Sequence, residues 1–117
     1  MTIRPHLDQD ALAELQDVME DEFGVLIRTF IEDSKSRIAT LRQTLASGDN
    51  DAFMNSVHSL KGSSTNIGAP QLGLLCAQAE VAGRAGQMTE VRALLAEIEN
   101  EFHVVELLFE RWLCSAT

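Results

Sequence analysis

Apolar residues recur along most of this chain at the three-and-four spacing of an α-helix, and short polar breaks separate the runs. The clearest stripe is Phe23, Ile27, Phe30, Ser34, Ile38, Leu41 and Leu45, one face of a long helix. Ahead of it, Leu12, Leu15, Val18 and Met19 mark one side of a short helix that Asp8 or Asp10 can cap. Glu20-Asp21-Glu22 and Gly24 set the bend between the two. Gly48 ends the long helix, and Asp49, Asn50 or Asp51 caps a third. At ~100° per residue, Phe53, Val57, Leu60, Ser64 and Ile67 fall within about 40° of one line, which predicts the core face of that third helix. Gly68-Ala69-Pro70 stops it, with Pro70 suited to the first turn of a fourth. Leu72, Leu75, Cys76 and Ala79 give the fourth helix its apolar side, and Gly83 and Gly86 end it. Thr89 caps a last helix, followed at helical spacing by Val91, Leu94, Leu95, Ile98, Phe102, Val105, Leu108, Phe109 and Trp112.

Long helices joined by short loops predict an all-α fold, an antiparallel up-down-up-down four-helix bundle with a short extra N-terminal helix across one end. A chain of 117 residues suffices for one core. The expected layout is a single domain over residues 8–113, with flexible ends at 1–7 (which hold His6) and 114–117. Both prolines lie at positions 5 and 70, so the stretch between them has no helix breaker of that kind. The bundle should consume its apolar stripes, which predicts a monomer.

Charge narrows the range of partners. At a net −9 the surface is wrong for nucleic acid, whose binding depends on Lys and Arg neutralising phosphates. It is equally unsuited to anionic membranes. The apolar runs are too short to span a bilayer, and the first residues lack the apolar segment of a signal peptide. Cys76 and Cys114 have no metal-ligand spacing and fit free thiols in a reducing cytoplasm.

The chemistry concentrates in Val57-His58-Ser59-Leu60-Lys61-Gly62-Ser63-Ser64. His58 points roughly 140° from the core line, with Lys61 at i+3 and Gly62 at i+4 beside it. Gly in a helix interior costs about 1 kcal/mol relative to Ala, so a bare position 62 trades stability for a clear path to the imidazole. Lys61 adds a cation. An unblocked histidine beside a positive charge suits a nucleophile that accepts an anionic group such as phosphoryl. Taken singly, each residue has a plain reading: a surface histidine, a surface lysine, a tolerated glycine. The combination is what carries the argument.

His58-Ser59-Leu60-Lys61-Gly62-Ser63-Ser64 followed by Gly68-Ala69 resembles the signature of histidine-containing phosphotransfer (HPt) domains, four-helix modules of multistep phosphorelays. Leu75-Cys76, Glu80 and Gly83-Arg84 look like that family's next helix, and the resemblance spans roughly residues 8 to 113. Val57 stands where family members often carry Ala, and because it points into the core the consequence expected is a packing adjustment. The resemblance implies that His58 takes phosphoryl from the aspartyl phosphate of one receiver domain and passes it to another. It implies no intrinsic cofactor, with Mg²⁺ held by the receiver's carboxylates, since no acidic cluster is expected to face His58. Lys61 would meet the phosphoryl oxygens, and Thr65, a turn further on, would line the docking surface. Arg84 would sit near the phosphohistidine, its bland alternative being a cation at a helix C-terminus. The chain, starting at Met1 with one bundle, reads as a freestanding member.

Other constellations are weaker. Glu99 and His103 stand at i, i+4, whereas a di-iron bundle needs Glu-x-x-His from two helices. Asp49-Asn50-Asp51 lacks the Gly and terminal Glu of a calcium loop. Arg28, Ile31 and Lys35 on the second helix are further candidates for the docking face, with Ile31 alternatively core margin. The rival to phosphotransfer is a helical adaptor that binds receivers or other signalling domains without transfer.

Overall fold

The computed structural model describes residues 4–115, so the expectations for residues 1–3 and 116–117 lie outside it. Among the described residues there are five helices and no strand: α1 (Gln9–Met19), α2 (Glu22–Ser47), α3 (Asn50–Ile67), α4 (Pro70–Arg84) and α5 (Met88–Ser115). None is long and apolar enough to cross a membrane.

The boundaries follow local chemistry. The Asp8 carboxylate accepts from the Ala11 N–H at the start of α1, and Asp49 does the same for Ala52 at α3. Gly48 and Gly68 end α2 and α3 at φ 78° and 90°, a left-handed conformation that glycine adopts without strain. Gly83 lies buried in the last turn of α4, which ends at Arg84 with Gly86 beyond it at φ 71°. One boundary differs from the sequence expectation: α5 begins at Met88, so Thr89 falls within its first turn rather than capping it.

α2, α3, α4 and α5 each pack against two of the others, in the ring α2–α3–α4–α5–α2, and α1 rests on α2. The predicted stripes fill the centre: Phe23, Ile27 and Leu41 from α2, Phe53, Val57 and Leu60 from α3, Leu72 and Cys76 from α4, and Val91, Ile98, Val105 and Phe109 from α5. Full burial of one such Leu or Phe is worth about 1.5–3 kcal/mol. Ser34 and Ser64 sit fully buried in their stripes, small enough for close helix approach.

α3 and α4 come closest where α4 has no side chain. A Cβ on Gly73 would lie 2.6 Å from Thr65 Oγ1, and one on Gly83 would lie 2.5 Å from Met54 Sδ. Gly73, Cys76, Glu80 and Gly83 form one buried helical line facing α3. That line brings the single charged residue among the four against the middle of α3.

The segment before α1 is held rather than loose. Leu7 is buried, the Asp8 N–H donates to Gly68 O at 2.8 Å, and the Gln71 N–H donates to Pro5 O at 3.2 Å. The Arg4 N–H donates to Gln71 Oε1, and His6 reaches Glu101 on α5. A flexible end over 1–7 is therefore replaced, for residues 4–7, by a strap hydrogen-bonded to α4, α5 and the α3–α4 turn. At the other end Cys114 and Ser115 continue α5.

Candidate functional site

His58 occupies the outer side of α3 while its neighbours Val57 and Leu60 are fully buried. Its side chain is 65% exposed, and its Nδ1 stands 2.7 Å from Oε2 of Glu80, a carboxylate only 6% exposed. The other oxygen of Glu80 accepts from Lys61 Nζ at 2.6 Å, and Oε2 also takes Arg84 Nη2 at 3.1 Å. One buried carboxylate thus gathers an imidazole and a lysine from α3 together with an arginine one turn on in its own helix.

The electrostatics are consistent with an ionised Glu80. The hydrogen bond from Lys61 is the foremost cause holding its carboxyl below the ordinary 4.5, burial opposes it, and the bond to His58 adds to the lowering. A carboxylate only accepts hydrogen bonds, so Nδ1 of a neutral His58 must be the protonated nitrogen. That leaves the lone pair on Nε2, which makes no hydrogen bond among the described residues. Cys76, one turn before Glu80, is pushed up to about 12, mainly by burial and then by the Glu80 charge. It remains a thiol and does not compete as a nucleophile.

The predicted site residues are not all brought together. His58, Lys61 and Arg84 converge on Glu80. At Gly62 a Cβ would meet nothing within 4 Å, so the space beside the imidazole is open. Thr65 lies away from the cluster, its hydroxyl donating to the Lys61 carbonyl at 2.9 Å and resting against Gly73. On α2, Ile31 is core, Lys35 is committed to Glu106 on α5 at 2.9 Å, and the Arg28 guanidinium lies over Gly24. None of the three makes a hydrogen bond or ion pair with the His58 cluster.

Glu80 is the residue that sequence reasoning undervalued: no acidic cluster was expected to face His58, and a single carboxylate does. Its signal was a lone acid on an otherwise small and apolar face of α4. Among the described residues no group of three His, Cys, Asp or Glu stands together as a metal site. Glu99, paired in sequence terms with His103, instead bonds Arg42 across the α2–α5 seam.

A family model described as the Hpt domain matches residues 25–107. The chain is similar to the crystal structure of histidine-containing phosphotransfer protein B (HptB) from Pseudomonas aeruginosa PAO1, at 43% identity and a TM-score of 0.87 over 92% of this chain and 93% of that one. It is also similar to the histidine-containing phosphotransfer protein ZmHP2 from maize, at 27% identity and a TM-score of 0.81 over 91% of this chain and 86% of that one. Among curated proteins none matches this chain.

Proposed function

The chain belongs to the Hpt domain family, and we propose that it relays phosphoryl groups between the aspartates of receiver domains through a phosphohistidine at His58. The observation that carries this reading is the exposed His58 whose Nδ1 is bound to Glu80 while Nε2 is free. The Nε2 lone pair attacks phosphorus as the bond to the aspartyl oxygen breaks, and that electron pair returns to the receiver's carboxylate. In-line transfer of this kind is mainly positioning and charge stabilisation. Neutralisation of the equatorial oxygens by Mg²⁺ is assigned to the receiver, because Glu80 is already engaged by Lys61 and Arg84.

Lys61 and Arg84 flank the space where the phosphoryl group would sit. A unit charge at ~4 Å is worth about 1 kcal/mol in water and about 4 at an effective dielectric of 20, the higher figure applying once a docked receiver excludes water. Gly62 leaves room for that docking, and Thr65 borders it further down α3. The whole of residues 8–113 serves as one domain, a monomer in which α2 to α5 run antiparallel. Connections as short as Gly48–Asp49 and Gly68–Ala69 support reversal at each turn.

The test is transfer from a panel of Asp-phosphorylated receivers with Mg²⁺. Acid-labile, alkali-stable phosphate on this chain that disappears in His58→Gln supports the relay. Receivers that bind without labelling it would make the protein an adaptor instead.

A further inference from the structure

We propose that Glu80 is the positioning residue that keeps a proton on Nδ1 of His58 throughout the transfer cycle, and so governs how readily the phosphoryl group is given up. The inference rests on His58 being the phosphoryl acceptor and goes beyond it by assigning a task to a buried carboxylate that never touches the reacting atoms.

The chemistry follows from where electrons and protons go. When the Nε2 pair forms the N–P bond, the ring either keeps its Nδ1 proton and becomes cationic or sheds it and becomes neutral. The Glu80 carboxylate, 2.7 Å from Nδ1 and nearly solvent-free, favours the cation. The consequence appears on the return step. A ring that still carries the Nδ1 proton leaves phosphorus as neutral imidazole, with the N–P pair returning to Nε2. A ring that has lost it must leave as imidazolate, a far poorer leaving group.

The surrounding charges allow this. His58 is faced by Lys61 from α3 and by Glu80 and Arg84 from α4. The ion-paired cations of α2 are directed elsewhere, Lys35 to Glu106, Arg42 to Glu99 and Arg37 to Asp33. Before transfer, Lys61 is foremost in holding the carboxylate ionised, and Arg84 bonds to it as well. Once a phosphoryl dianion arrives on Nε2, both cations have a second anion within a short swing, and more of the Glu80 charge is left for the ring.

The experiment loads the full chain with phosphoramidate, a small-molecule donor to histidine, so that receiver docking plays no part. Phosphorus and nitrogen NMR then follow phospho-His58 from neutral to alkaline pH in the wild type, Glu80→Gln and Glu80→Asp. The expected result is phosphoryl on Nε2, and a ring in Glu80→Gln that loses its Nδ1 proton about one pH unit or more below the wild type, a roughly tenfold weaker hold. Glu80→Asp, shorter but charged, recovers most of the difference. Onward transfer to an unphosphorylated receiver falls off at correspondingly lower pH in the Gln variant. A Gln variant that titrates with the wild type, or an Asp variant no better than Gln, overturns the role of Glu80 while leaving His58 in place. A wild-type chain that takes no phosphoryl on His58 overturns the relay reading and this inference together.

Discussion

Two histidines in this molecule are held in nearly the same way, and only one of them stands in a site. His58 and His6 each set Nδ1 2.7 Å from a carboxylate that is almost buried, Glu80 and Glu101, and each leaves much of its ring in solvent, 65% and 53%. Around Glu80 stand Lys61 and Arg84, with open space at Gly62. Among the described residues Glu101 has His6 as its one ion-pair partner, and that bond ties the N-terminal strap to α5. A histidine on a carboxylate is therefore a strut by default. In the proposed function, it becomes a phosphoryl acceptor where cations and an approach path are added to the same bond.

The sharpest way to break the comparison is to remove each imidazole in turn. His58→Gln should reduce receiver-driven labelling to background, and His6→Gln should leave its rate within about twofold of wild type, a difference below ~0.5 kcal/mol. Gly62 separates access from stability. Gly62→Ala should raise the unfolding free energy by up to about 1 kcal/mol, because helix propensity improves and no neighbour obstructs the methyl group. Gly62→Met should keep the fold, read by its melting curve, yet slow transfer roughly tenfold or more by filling the approach to His58, a barrier increase of about 1.4 kcal/mol.

The strut should answer in stability instead. His6→Ala strands Glu101 without its partner and should cost about 1 kcal/mol in a urea titration, with transfer unchanged. The smallest effect is a pH dependence at Glu80. Its carboxyl is held below 4.5 by Lys61 first, so its contribution to stability is present in full above the ordinary value and is lost as pH falls through the lowered one. The stability gap between wild type and Glu80→Gln should accordingly be flat near neutrality and narrow in acid. A gap that widens in acid would reverse the assignment.

Much of this could be read from the chain because helical periodicity is local. The stripe of α3 predicted its buried residues and that of α2 most of them, Leu45 being half-buried and Ile31 and Thr44 buried beside it. Asp8, Asp49, Gly48 and Gly68 act at the helix ends where their chemistry placed them. His58, Lys61 and Gly62 were legible for the same reason, lying within one turn of one helix. What escaped depends on contacts between helices. Glu80 is 22 residues from His58, and its importance appears only when Gly73 and Gly83 let α4 close on α3. Gly83 read only as a terminator, although glycine both ends helices and permits close packing, and the sequence does not say which. His6 looked loose because its partner, Glu101, lies at the far end of the chain in sequence.

The most direct test of the central claim is to map the phosphoryl group itself. The protein is labelled from a cognate phosphorylated receiver, kept alkaline, digested and analysed by mass spectrometry at His6, His58 and His103. The account predicts label on His58 alone. Label on His6 or His103 while His58 stays unmodified would contradict it.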